Sequence, residues 1–377
     1  MKDKLFSKNY IRITLSAGLF YSASFMLGSV SAQYGLKLGG GNTIGGIVAG
    51  IFTFSAFFSR ARWGIMADRR GKKFIYVAGR LVCISGAAFS FFSSSLMMLI
   101  FSRRLFGLGY SAVTTAGGAM VCDRVPGKNL PQAIAIYGAT GVIAQALAPS
   151  AALWLYKISF PAVALAAALL TAGALFSVLA VKYDGGEALP EKTGFALFEK
   201  QALPRAQTIF FFAAAVSGIY AFIPIYTSEN NGGSRGVFFM VSSAALLVLR
   251  LTNGLLCHKL GQGRVFAAGC GMLVLSFVVL AAFSGKIPFY IGALLYGSGG
   301  GIVHPIVNTA AVRDVAPSKR ALATATFMMG QDLGGGIGSL SLGFVSQNFG
   351  YRPMFISAAV FAAVMGLLYA RLLKNKG

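Results

Sequence analysis

The sequence predicts an all-α polytopic membrane protein, with twelve transmembrane helices in two pseudo-twofold six-helix bundles. Three observations carry this reading. Charged residues are 11% of the chain and hydrophobic residues 56%, with a mean hydropathy of +0.71, whereas a soluble domain carries roughly 25% charged residues. A water-soluble core of this size would have to hide more apolar surface than its interior holds. Cutting the chain at its charged and turn-rich breaks leaves twelve apolar runs, and a bilayer core of about 30 Å needs roughly 20 helical residues for each crossing. The second half also repeats features of the first.

The first six runs fall near residues 10–32, 42–62, 74–94, 96–121, 131–156 and 158–181. The second six fall near 206–228, 235–257, 264–284, 287–311, 320–346 and 351–372. Many are rich in Gly, Ala and Ser, which lets helix backbones approach closely where no water drives association. Lys2, Lys4, Lys8 and Arg12 precede the first run, and Ser29-Val30-Ser31-Ala32 near its end resembles a signal-peptide cleavage site. Cleavage there would leave an odd helix count and spoil the duplication, so the run is read as the first transmembrane helix.

With the N-terminus placed in the cytoplasm, inner connections and tails hold 25 of the 33 basic residues. Outer loops hold five (Lys37, Lys157, Arg235, Lys286 and Arg352), and Arg80, Arg103 and Arg104 lie within helices. This asymmetry puts both termini inside, in a multi-pass protein of the cytoplasmic (inner) membrane. The net charge of +23 sits in these short connections, and no basic stripe with interleaved aromatics appears, so no nucleic-acid partner is expected. The bundles are expected over residues 1–181 and 206–377, joined by a cytoplasmic linker at 182–205 that carries Asp184, Glu187, Glu191 and Glu199. A short surface helix near Phe195 to Leu203 is an even alternative to coil there.

Residues 60–76 pack six basic residues around the single carboxylate of Asp68 and read as a tight loop on the inner face. Arg60, Gly64, Asp68, Arg69 and Gly71 recur as Arg250, Gly254, His258, Lys259 and Gly261, and Gly107 and Gly109 recur as Gly297 and Gly299. Asp123-Arg124-Val125-Pro126 corresponds to Asp314-Val315-Ala316-Pro317. Two like halves about an axis along the membrane normal are how many carriers build a midplane site open to alternate sides. A channel needs no such pairing.

On these residues the chain resembles the major facilitator superfamily over its whole length. The stretch Gly64 to Lys73 looks like that family's signature loop between helices 2 and 3. The resemblance implies a conformational lock made by Gly64, Asp68, Arg69, Gly71 and Lys72, with Asp68 meeting the N-terminus of helix 11 and the basic residues pairing with Asp123. Arg104-Leu105-Phe106-Gly107-Leu108-Gly109 resembles the family's arginine motif in helix 4. Helix 5 resembles the antiporter motif less closely, with Ala135, Ala144, Ala148-Pro149 and Ala152 at its small positions; alanine where glycine is usual leaves ordinary packing as an equal reading.

The candidate chemistry is sparse. Asp332 is the one carboxylate expected deep in a membrane helix, where it could exchange a proton as the cavity changes sides. His304, before Pro305, is the second candidate for proton coupling, with a hydrogen-bonded helix contact as the plainer alternative. Arg104, about 12 Å deep at 1.5 Å per residue, is expected to face the cavity or a partner. Gln33, Tyr137, Gln145, Tyr220, Asn308 and Gln331 are candidate cavity groups, and Arg80 is expected to snorkel toward the inner face. There is no P-loop, no metal-ligand cluster, no catalytic triad and hence no expected cofactor. Cys83, Cys122, Cys257 and Cys270 read as buried free thiols.

These observations and the resemblance point to a secondary transporter, not an enzyme, that moves a small organic solute by alternating access. Export by proton antiport is the leading mode, and uptake by symport or facilitated diffusion is the alternative. A non-transporting receptor or scaffold is the rival from another class. Its partners are the solute, protons and the bilayer, and a monomer suffices mechanically.

Overall fold

The computed structural model describes residues 7–124, 130–181, 198–230, 234–313, 315 and 320–374. These form twelve α-helices: α1 (Lys8–Lys37), α2 (Asn42–Arg70), α3 (Lys72–Phe91), α4 (Leu96–Arg124), α5 (Leu130–Tyr156), α6 (Phe160–Leu179), α7 (Leu203–Asn230), α8 (Arg235–Leu260), α9 (Gln262–Ala282), α10 (Lys286–Arg313), α11 (Arg320–Phe349) and α12 (Tyr351–Lys374). Among the described residues there is no strand. Large apolar side chains lie bare on the surface, among them Phe58, Met97, Phe176, Leu251 and Ile287. That surface suits lipid and not water. Ten of the helices are long and apolar enough to cross a membrane; α10 and α11 are not among them. Those two carry His304, Asn308, Gln331 and Asp332 between runs of glycine, which lowers their hydropathy.

One expectation is corrected here. Residues 60–70 are not a loop, because α2 runs through them to Arg70 and only Gly71 turns the chain. No helix breaker occurs before Gly71, whose φ of +93° is cheap for glycine alone. Its N–H closes on the Ala67 carbonyl at 3.0 Å, and its own carbonyl accepts from Ile75 at 3.3 Å. The repeat reproduces this device at Gly261, with φ +82° and a bond to the Cys257 carbonyl at 3.1 Å. Two basic side chains then fasten the end of α6: Arg12 Nη1 donates to Ala180 O at 2.6 Å, and Lys73 Nζ to Val181 O at 2.7 Å. Cations are favoured at a helix C-terminus. The linker expectation for 182–197 lies outside the described residues, and the helix expected near 195–203 is a single 3-10 turn at Lys200–Ala202 capped by Glu199.

By contact the chain divides into two compact units, residues 1–30 with 54–194, and residues 31–53 with 195–377. In the first, a Cβ on Gly109 would lie 2.5 Å from the Gly79 carbonyl oxygen, so α3 and α4 touch backbone to backbone. In the second, Gly299 of α10 meets the Gly269 carbonyl of α9 in the corresponding way at 2.7 Å. The duplication therefore holds at the level of packing. Ser159 caps α6 by accepting from Ala162 N at 3.2 Å, and Ser234 caps α8 by accepting from Val237 N. Ala144, Ala148 and Ala152 form a buried stripe on α5. Cys83 and Cys270 are buried free thiols as expected, whereas Cys257 is half-buried.

In the second unit α7 and α11 meet backbone to backbone along a row of glycines. Gly330, Gly334 and Gly338 fall at four-residue intervals and rest on the backbone of Ala206, Phe210 and Ala214. A second row on α11 meets residues 42–53 of α2. Gly46 abuts the Ser339 carbonyl, Gly50 faces the Gly336 carbonyl, and Thr43 N donates to Gln347 Oε1 at 2.8 Å. Gly297 of α10 likewise lies on the Ser242 carbonyl of α8. Gly297→Ala should therefore force α8 and α10 apart at a cost of about 1–3 kcal/mol, seen as a lower melting temperature in detergent. Gly271→Ala, whose Cβ would enter open space, should leave melting unchanged or slightly raised.

Candidate functional site

Each unit carries one buried polar cluster. In the first unit it is centred on Arg80 of α3, which is 0% exposed. The expectation that Arg80 snorkels is overturned, because α1 and α6 close over it. Its Nη2 donates to Tyr76 Oη at 2.6 Å, Ser16 Oγ at 2.9 Å and Ser16 O at 3.1 Å. Ser16 Oγ in turn donates to Ala174 O of α6 at 2.6 Å. The Phe20 and Tyr76 rings cover the guanidinium, with centroids 4.4 and 4.7 Å from Cζ. Such cation–π contacts recover part of the hydration lost on burial.

Tyr76 leads to a phenol pair, Tyr21 of α1 hydrogen-bonded to Tyr137 of α5. Gly117 of α4 makes room for the group: a Cβ there would meet Tyr137 Oη at 2.6 Å and the Tyr76 ring at 2.7 Å. A second buried cation, Arg60 of α2, donates through Nη1 to Thr114 Oγ1 at 3.1 Å and Thr115 Oγ1 at 3.3 Å. Tyr137, expected as a polar cavity group, is found in this cluster. Arg80, Tyr21 and Tyr76 were not expected there, although the spacing of Tyr76 and Arg80 by four residues on one helix face was available as a signal.

In the second unit His304 of α10 and Gln331 of α11 meet, Nε2 to Oε1, at 3.2 Å. Phe212 and Phe327 flank the imidazole, with ring centroids 5.9 and 5.7 Å away. Arg250 of α8 lies within electrostatic reach of His304. Both members of that pair are displaced by 190 positions from Arg60 and Thr114, so the repeat keeps a cation opposite a polar side chain and changes which side chain it is. Asp332 is buried, at 8% exposure. By helical period it shares a face with Gly336, Ser339 and Gly343, one turn beyond the last close approach of α2.

The remaining expected residues scatter. Arg104 is exposed, whereas its neighbour Arg103 is buried. Tyr220 bonds to Tyr296 and stacks on Phe239 at 5.8 Å. Asn308 and Gln145 are half-buried. Gln33 is half-buried with its Oε1 enclosed and, among the described residues, unpartnered. Gly64 is half-buried against Thr115 of α4. Of the expected lock, Arg69 and Gly71 are exposed and Lys72 is half-buried. The side chains of Asp68 and Asp123, and residues 316–319, lie outside the described residues. Among the described residues no group of His, Cys, Asp and Glu could hold a metal ion.

Helices with bare apolar flanks, a duplicated core and a polar cluster in each unit define a polytopic solute carrier. The chain belongs to the Major Facilitator Superfamily, whose model matches residues 13–315 and 208–376. It is thus a transporter and not an enzyme. It is 24% identical over 358 residues to an uncharacterized MFS-type transporter of Methanocaldococcus jannaschii, covering 90% of this chain and 91% of that one. An uncharacterized MFS-type transporter of Burkholderia pseudomallei is 26% identical over 347 residues, 87% of this chain and 82% of the other. Among solved structures, the peptide transporter POT in complex with sulfate superposes with a TM-score of 0.81 at 13% identity, covering 99% of this chain and 97% of that one. The nucleoside transporter NupG gives 0.74 at 14%, covering 97% and 99%. The human organic anion transporter MFSD10 gives 0.72 at 15%, covering 96% and 98%. At these identities the likeness is one of fold.

In a background lacking native thiols, Arg104→Cys should react readily with a small maleimide and Arg103→Cys should not. Comparing a water-soluble with a lipid-soluble reagent then reads whether position 104 faces an aqueous passage, as expected of a cavity cation, or lipid.

Proposed function

We propose that the protein is a proton-coupled exporter of a small organic solute, working by alternating access in the cytoplasmic membrane as a monomer with both termini inside. The observation that carries the coupling is the buried carboxylate of Asp332, next in sequence to the Gln331–His304 hydrogen bond. The proton affinity of a carboxyl group enclosed by helices depends on the water and charges around it, so a change of conformation that alters them can load or release a proton, which is the property a proton carrier needs. Export as the direction follows the antiporter-like pattern of α5, in which Ala135, Ala144, Ala148-Pro149 and Ala152 take the small positions.

The two halves of the chain, 1–181 and 206–377, act as rocking bodies in this reading, with 182–205 as the tether. Residues Gly64, Asp68, Arg69, Gly71, Lys72 and Asp123 hold one end state closed from the cytoplasmic side. Superposable carriers include nucleoside, peptide and organic anion transporters, so the fold leaves the solute open among small organic molecules.

Reconstituted protein under a proton gradient should drive solute against its own gradient out of the compartment that corresponds to the cytoplasm. Asp332→Asn should abolish that uphill movement while downhill exchange persists. Unchanged uphill flux in Asp332→Asn would rule out the role given to this carboxylate, and uphill flux in the opposite direction would replace export by symport.

The turn at Gly71 offers a second test. Gly71→Ala must hold an L-residue at φ +93°, a cost of about 1–2 kcal/mol borne at the lock. Turnover should fall, and the melting temperature should drop by a few degrees through backbone strain alone, since no atom lies within 4 Å of the added methyl.

A further inference from the structure

We infer that Arg80, reached through Tyr76, Tyr21 and Tyr137, recognises a carboxylate, so that the solute is a small organic acid; this rests on the transport reading above. The three protein bonds to the guanidinium all use Nη2. Nε and Nη1 are fully enclosed and, among the described residues, have no partner. Phe20 and Tyr76 occupy the faces of the group, which leaves its edge donors as the unspent capacity. A permanent cation kept dry, with donors unmet and no carboxylate partner among the described residues, is a standing cost. An arriving anion that accepts those N–H bonds removes it.

The surroundings select the charge and the shape of the guest. Arg60 is a second buried cation within electrostatic reach of Tyr21, and the phenols of Tyr21 and Tyr137 can each donate to an anionic oxygen. A cationic solute would meet only repulsion. Access is graded, because Tyr21 and Tyr137 are half-buried whereas Tyr76 and Arg80 are wholly enclosed. A carboxylate would engage the phenol pair first and then exchange those bonds for the guanidinium. Beside the cation, Phe20 stacks on Phe106 at 6.1 Å and on Tyr110 at 5.7 Å. Phe20 and Phe106 are themselves buried, so the apolar body of an organic acid would lie on the side of the half-buried phenols.

The test is thermal stabilisation of the purified full-length protein in nanodiscs by a graded set of aliphatic and aromatic monocarboxylates, each paired with its neutral primary amide. At least one carboxylate should raise the melting temperature by several degrees while its amide does not. Tyr137→Phe, at the accessible end, should weaken that binding several-fold, and Arg80→Lys should weaken it more than tenfold with a native-like melting curve in the absence of ligand. If Arg80→Lys fails to fold, Tyr21→Phe and Tyr137→Phe carry the test. Equal stabilisation by acid and amide, no stabilisation by any acid, a response matched by sodium chloride or phosphate, or wild-type affinity in the phenylalanine variants would each overturn the inference. The readout needs no gradient, so acid-selective stabilisation without gradient-driven flux would sink proton coupling alone. Flux without acid selectivity would sink this inference alone.

Discussion

Helices already in lipid gain nothing further by leaving water, so this fold holds by letting backbones touch. The glycines of α11 show what that constraint fixes. Gly330, Gly334 and Gly338 meet α7 at every fourth residue, and Gly336, Ser339 and Gly343 meet α2 on a different face. A helix pinned along two lines cannot rotate about its axis. Gln331 and Asp332 are consequently held in fixed directions, one toward His304 and the other on the face that continues the α2 seam. The polar chemistry of the second unit is thus a by-product of where small residues were placed, and larger side chains in those rows would misdirect it without touching it.

The two halves have kept their packing and exchanged their chemistry. Gly71, Gly79 and Gly109 have counterparts in Gly261, Gly269 and Gly299, with matching backbone geometry. Arg80, by contrast, corresponds to Cys270 and Tyr76 to Phe266, each displaced by 190 positions. Close approach tolerates only glycine or another small residue, so drift is confined there. Polar positions that face a neighbouring helix are free to diverge once the partner side chain changes. The result is one unit whose buried charges, among the described residues, are cationic and another that encloses an imidazole and a carboxylate.

This difference explains what could be seen in the sequence. Helix number follows from cutting the chain at its charged and turn-rich breaks, and α2 and α8 run past their expected ends because charged residues such as Arg69 and Lys259 remain good helix formers. Position along a single helix is also legible, and Asp332 is buried. Position alone misplaced Arg80, because a side chain one or two turns from the membrane face escapes to water only if its neighbours leave a path. Whether α1 and α6 leave that path is a matter of tertiary packing. The pairing of His304 with Gln331, and the choice of Arg103 over Arg104 for burial, depend likewise on helix rotation. No single run of sequence encodes rotation in a helix that is apolar on every side.

Separating anion recognition from proton exchange has a thermodynamic consequence. Two sites that make no direct contact can be coupled through the equilibrium between conformations, to the extent that each ligand prefers one of them. In the mechanism proposed above, the solute biases that equilibrium by the bonds it makes with Arg80 and the two phenols, and the proton biases it through the ionisation of Asp332. Couplings of this kind typically amount to about 1–3 kcal/mol, enough to favour one order of events without making it obligatory. A carrier built this way should tolerate changes of solute that alter the first unit while its proton coupling stays intact.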